Sequence, residues 1–215
     1  MTLRTNLAIA ALAFIATAAF CRAADAHPHV WVTSRTTVLF KDGAITGVQH
    51  DWTFDEMYAL MAIEGLDKNN DGIYDKEELK PLAQVNIDGL KDFDYFTSAR
   101  AGKTVLKFTA PVDYWLDYTN KVLTLHFTLP LAEPIPAKGQ TIAIQVADPS
   151  FFIAFDPAKD NGIKLSAAAP RGCVAKMPSV AALTTKQQNL SDALSGQLVA
   201  AGGANDGALL VSCPP

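Results

Sequence analysis

Asp67-Lys68-Asn69-Asn70-Asp71-Gly72-Ile73-Tyr74-Asp75-Lys76-Glu77-Glu78 is the stretch that marks a helix–loop–helix within an otherwise strand-rich chain. Oxygen-bearing side chains stand at its first, third, fifth, ninth and twelfth positions, the spacing with which an EF-hand loop surrounds calcium, a hard cation that takes oxygen ligands. Asp67, Asn69 and Asp71 would offer side-chain oxygens, Ile73 its backbone carbonyl, Asp75 a contact through water, and Glu78 both carboxylate oxygens. Gly72 permits the sharp turn at the sixth position. Tyr74 departs from the pattern, because the eighth position of a paired loop carries an aliphatic residue, and the sequence holds no second loop of this kind. The competing reading is an Asx-rich turn that caps the following helix without an ion. Extracellular modules bind calcium at about 10⁻⁴–10⁻³ M, which points to a structural ion rather than a switch.

Helical signals flank the loop. Upstream, Thr53-Phe54-Asp55-Glu56 fits a capping box, and Phe54, Met57, Tyr58, Met61 and Leu66 fall near helical spacing, predicting a helix from Thr53 to about Leu66. Asp55 and Glu56 are explained by capping and by the helix dipole. Downstream, a helix starts near Lys76 and carries Pro81 close to its beginning, where proline is tolerated better than further in.

Beyond these helices the pattern has period two. Val30–Phe40 and roughly Ala44–Trp52 predict a hairpin closed at Lys41-Asp42-Gly43. Further strands are predicted at 95–101 and 103–109, at 114–118 and 122–129, and at 141–146 and 151–155. The expected fold is α+β, a mostly antiparallel β-sheet or sandwich with an EF-hand-like helix–loop–helix inserted at about 53–93. The β-rich domain is placed at 27–177, and 178–215 is read as a C-terminal tail, weakly helical over 180–200.

The N-terminus reads as a cleavable signal peptide over residues 1–26: Arg4, an apolar run from Leu7 to Phe20, then Ala24-Asp25-Ala26. The run is short against the roughly 20 residues of a membrane span. A lipoprotein anchored at Cys21 is the alternative, opposed by the bulky Phe20 before it. Cleavage implies a periplasmic or otherwise exported protein without membrane insertion, and leaves Cys173 and Cys213 in an oxidising compartment, where a disulfide is expected to tie the tail to the body. A thiolate metal pair, their alternative, lacks a neighbouring His or Cys. Loss of Arg4, Arg22 and Asp25 takes the formal charge from −4 to −5, an acidity that argues against nucleic acid as a partner.

Cleavage after Ala26 would place His27-Pro28-His29 at the mature start, where an amine and imidazoles suit Ni²⁺, Co²⁺, Zn²⁺ or Cu²⁺. Pro28 has no N–H to give up, which disfavours the square-planar amino-terminal copper/nickel motif. A brace from the amine and imidazole of His27, completed by His29 or a distant residue, remains. The other histidines, His50 and His126, lie in predicted strands. His50 reads as a half-buried residue and His126 as solvent-facing, and either could complete the transition-metal set. No nucleophile elbow, phosphate-cradling glycine loop or zinc-protease helix occurs, so an enzyme is not expected. A copper oxidase using the His27 brace is the remaining catalytic alternative.

His27-Pro28-His29-Val30-Trp31, Trp52-Thr53-Phe54-Asp55-Glu56-Met57-Tyr58, the acidic loop and Asp148-Pro149-Ser150-Phe151-Phe152-Ile153-Ala154-Phe155 occur in that order. Over roughly Ala26 to Phe155 the chain resembles a bacterial periplasmic domain-of-unknown-function family. Its members are often labelled the periplasmic, substrate-binding component of an uncharacterised ABC-type transport system and are encoded near nickel/cobalt-type permeases. The resemblance implies a role in divalent transition-metal handling with a membrane permease or transporter as partner. The expected function is thus a calcium-binding accessory protein that binds or delivers the metal. A calcium-stabilised structural or adaptor protein with no transported ligand is the alternative.

Overall fold

The structure, a computed structural model, describes residues 28–177 and 208–215. The signal-peptide reading, His27 and the helical reading of 180–200 lie outside the described residues.

β1 (Val30–Lys41) and β2 (Ala44–Phe54) form the expected hairpin. Asp42 and Gly43 take the positive φ that its tight turn requires. Then come α1 (Glu56–Ala62), the acidic loop, α2 (Lys76–Leu90) and a 3₁₀ segment (Lys91–Phe96). β3 (Thr97–Ala101), β4 (Thr104–Leu106), β5 (Val112–Thr119), β6 (Val122–Pro136), β7 (Thr141–Val146), β8 (Ile153–Pro157), β9 (Ile163–Leu165), β10 (Val174–Lys176) and β11 (Leu209–Ser212) complete the described chain.

The strands form two sheets. The first runs β5-β6-β2-β1-β8, with β9 also paired to β1, and the second runs β10-β11-β7-β3-β4. Pairing is antiparallel except where β8 and β9 lie parallel to β1. Alternation along β6 shows why the sheets stack. Leu123, Leu125, Phe127 and Leu129 are fully buried, while Thr124, His126 and Thr128 between them face outward. Val38, Val48 and Trp52 from the same sheet meet Ile142, Ile144, Leu209 and Val211 from the other in one core. The fold is the sheet-rich α+β architecture expected, with both helices between β2 and β3. Where β2 crosses β6 the register shifts near Gly47, and a Cβ there would run into the Leu129 backbone carbonyl.

Three expectations are corrected. The first helix does not begin at Thr53 or reach Leu66. β2 keeps pairing with β1 through Phe54 and with β6 through Thr53, whose hydroxyl meets that of Thr124 at 3.2 Å. The cap is Asp55, whose carboxylate accepts from Tyr58 N–H and Trp31 N–H, each at 2.9 Å. Two-sided use of one carboxylate makes it the pin between α1 and the start of β1. Asp55→Ala is therefore expected to cost about 1–2 kcal/mol in urea unfolding, the upper part of the range for a lost N-cap. Finally, the end of the supposed tail is integral: β11 pairs with β7 on one side and β10 on the other.

Pro81 lies inside α2 as expected, and Leu79, Ala83 and Ile87 form its buried stripe. Cys173 and Cys213 are bonded, fastening the segment before β10 to the residue after β11.

Candidate functional site

The acidic loop spans the gap between α1 and α2. Asn70 and Gly72 both take positive φ, which a glycine adopts without strain and an asparagine tolerates. The turn is tied by its own side chains. Asp67 accepts from the N–H groups of Asp71 (3.2 Å) and Gly72 (3.0 Å). Asn69 accepts from Asp71 N–H at 2.9 Å, and Asp71 from Ile73 N–H at 2.7 Å. Asp75 caps α2 by accepting from Glu78 N–H at 2.9 Å, while Glu78 reaches back to the N–H groups of Asp75 (3.3 Å) and Lys68 (2.9 Å).

This is the hydrogen bonding of an Asx-rich turn with a capping box. Among the described residues, no three of His, Cys, Asp and Glu stand in a metal-holding cluster. In donor chemistry the loop fits a hard cation, since every polar side chain at the five ligand positions ends in oxygen or an amide. In posture, both Glu78 oxygens face backbone N–H groups and would have to turn inward to hold an ion. Calcium at Asp67, Asn69, Asp71, Ile73, Asp75 and Glu78 thus requires Glu78 to exchange its capping contacts for the ion.

Tyr74, the atypical eighth residue, meets Tyr118 of β5 edge-on with ring centroids 5.2 Å apart. The Lys76 ammonium lies 5.3 Å from the centre of the Trp115 ring, also on β5. The loop therefore docks on the edge strand of the first sheet rather than on a second loop.

The histidines separate. His50 is fully buried between the sheets, with Nδ1 3.1 Å from the Thr36 hydroxyl and Nε2 3.2 Å from that of Thr97. Thr97 donates its hydroxyl proton to the Tyr95 carbonyl at 2.8 Å. It must therefore accept from His50, so Nε2 carries the proton and Nδ1 accepts from Thr36. Burial drives the His50 pKa down to about 3, against a smaller upward pull from Asp51. A ring with both nitrogens satisfied inside the core has no position open to a transition metal, which corrects its candidacy as a ligand.

His126 faces the other way, as its pairing with Asp51 rather than His50 requires. Its Nδ1 lies 2.7 Å from Asp51 and its Nε2 2.6 Å from Asp117. Two carboxylates accepting from one ring call for a proton on each nitrogen, hence an imidazolium. Partial burial pulls the His126 pKa down, but the bonds and charges of Asp51 and Asp117 outweigh it and leave it raised. The same bond lowers the pKa of Asp51. The ring is stacked on Trp115 at 4.7 Å with planes 11° apart. His126 too has no free nitrogen in this arrangement. His29 is exposed beside Phe152, ring centroids 5.0 Å apart, and the structure does not bring it together with His50 or His126.

The Asp51–His126–Asp117 cluster is the arrangement that sequence reasoning missed. Its signal was weak: His126 and Thr124 alternate on an outward face, but the register that sets Asp51 and Trp115 opposite His126 is not written in any one strand.

A family model described as "Protein of unknown function (DUF1007)" matches residues 12–206. An uncharacterised protein of Haemophilus influenzae is 27% identical over 180 residues, covering 79% of this chain and 85% of the relative. An uncharacterised 15.5 kDa protein in the trpE 3′ region of Spirochaeta aurantia is 31% identical over 86 residues, covering 40% of this chain and 61% of that protein.

Proposed function

The chain belongs to the DUF1007 family of proteins of unknown function, and we propose for it the role of an exported, calcium-binding accessory protein of a divalent transition-metal transport system. One observation carries the calcium part. The loop from Asp67 to Glu78 sets oxygen donors at the EF-hand spacing and sits between two helices, with Glu78 in the first turn of the second. The transition-metal part rests on the His27-Pro28-His29 start and on the resemblance to periplasmic transport components. His27 and His29 would hold the delivered ion, nickel or cobalt first among Ni²⁺, Co²⁺, Zn²⁺ and Cu²⁺, and pass it to a membrane permease.

Calcium is expected to bind with the affinity of an extracellular module. With a Kd of about 10⁻⁴ M, 1 mM Ca²⁺ adds about 1.4 kcal/mol to folding stability. Calorimetry and thermal unfolding check this together, and Glu78→Gln is expected to abolish both responses. Absence of heat and of any thermal shift at millimolar Ca²⁺ would refute the calcium reading.

A second reading, a calcium-stabilised adaptor with no transported ligand, gains from the histidines. With His50 and His126 saturated, His29 is the one exposed histidine among the described residues. Titrating the mature protein, amine intact, with each of the four metals separates the readings. Micromolar binding lost in His27→Ala and His29→Ala supports delivery; no binding leaves the adaptor. Oxygen-dependent turnover with copper would instead favour an oxidoreductase.

A further inference from the structure

Asp75 is flanked by two side chains that leave the loop for the same strand. Tyr74 lands on Tyr118, and Lys76 lands on Trp115. Trp115 is backed by the His126 ring, and that ring is gripped from both sides by Asp51 of β2 and Asp117 of β5. The contacts run from the tenth loop position through Trp115 and His126 into the middle of the first sheet, while the eighth position ends on Tyr118 of the edge strand.

We propose that β5 replaces the partner loop of a paired EF-hand: Trp115 and Tyr118 are positioning residues that set the loop's calcium affinity, and the Asp51–His126–Asp117 clamp holds Trp115 in place for that task. The proposal rests on the calcium reading above and adds to it the part of the sheet that tunes the site. An isolated loop loses conformational freedom when it closes on an ion, which weakens binding. Here the backbone on either side of Asp75 is already anchored. That anchoring also fixes the Ile73 carbonyl one residue before Tyr74 and the first turn of α2, from which Glu78 projects.

The pattern of contacts gives the assignment its specificity. Ile73, Asp75 and Glu77 make no such contact, and Ile73 is exposed. Tyr74 and Lys76, which do dock, supply no side-chain ligand. Packing and coordination are therefore divided between neighbouring positions of one segment.

The test is a calorimetric Ca²⁺ titration of the full mature chain with its disulfide intact. Trp115→Leu, Tyr118→Leu and Lys76→Met are each expected to raise the Kd about 5-fold, the low end of coupling between sites. Trp115→Phe and Tyr118→Phe, which keep an aromatic face, are expected to return it to near the wild-type value. Lys76 is exposed, so Lys76→Met answers the question even where a leucine variant fails to fold. Unchanged Kd in Lys76→Met and in the folded leucine variants overturns the proposal and leaves calcium binding standing. So does equal weakening by leucine and phenylalanine. Absence of heat in the wild-type protein fails the calcium reading itself, and this proposal with it.

Discussion

Cys213→Ser is expected to lower the unfolding free energy by about 4 kcal/mol. The bond joins residues separated by 40 positions, and in the chain-entropy account closing a loop of that length restricts the unfolded chain by about this much. The native side of the balance points the same way. Cys213 directly follows β11, whose Leu209 and Val211 are buried, and β11 is the strand through which β10 reaches the rest of the second sheet. Once the bond is cut, β11 is held by its strand pairing and by the burial of Leu209 and Val211, with a long connection to β10. Urea unfolding with and without reductant measures the effect. The reduced protein should also show a steeper dependence on urea, because an unconstrained unfolded chain exposes more surface. A midpoint that moves by less than the equivalent of about 1 kcal/mol would show that strand pairing alone holds β11 in place.

The bond was legible because the reading behind it needs no geometry: it expects an exported chain and leaves two cysteines to pair. The strands were legible for a similar reason. Alternation along Val122–Leu129 and the Asp42-Gly43 turn are local signals, and β6 and the first hairpin follow them. Where local signals competed, the sheet won. Thr53 looks like a helix cap, yet its partners Thr33 and Thr124 keep it in β2, and the cap passes to Asp55 two residues on. Short strands were missed because β9, β10 and β11 are only three or four residues long and acquire their pattern from the neighbour they join.

The candidate site divides along the same line. The loop is contiguous, so its oxygen-bearing positions and its alternative as an Asx-rich turn that caps the next helix could be read directly, though the Asp75–Glu78 capping box was not. The histidines could be read only in part. Alternation places His50 inward and His126 outward, but the depth of His50 and the partners of both come from the register of β2 and β6, which sets Asp51 opposite His126. Tyr74 is the instructive exception. Its misfit at the eighth position was visible in the sequence, and the aromatic partner that accounts for it, Tyr118, lies on a strand more than forty residues away.

Acid should destabilise the protein well before its carboxylates are neutralised, with His50 as the cause. The ring is held neutral in the folded protein, with a pKa of about 3, and returns to about 6.5 on unfolding. Between those values the unfolded chain binds one more proton than the folded one, so stability falls as pH falls, by up to about 1.4 kcal/mol per pH unit. Over the whole window the loss approaches about 5 kcal/mol, a large part of the stability of an ordinary domain. His126 has the opposite sign. Its raised pKa gives stability that is complete below 6.5 and is lost as pH rises through the folded value, so it cannot produce the acid limb. Asp51, with its lowered pKa, contributes stability that is lost only below the ordinary carboxylate range. The pH 6 to 4 region therefore isolates His50. Unfolding free energies measured across it should slope steeply in the wild-type protein and flatten in His50→Gln, whose amide can still bridge the Thr36 and Thr97 hydroxyls. Nitrogen NMR gives the check that does not depend on a variant folding. The His50 ring should report a single neutral form, protonated at Nε2, down to pH 4, and a ring that titrates near 6.5 would mean that the core between the two sheets is open to water.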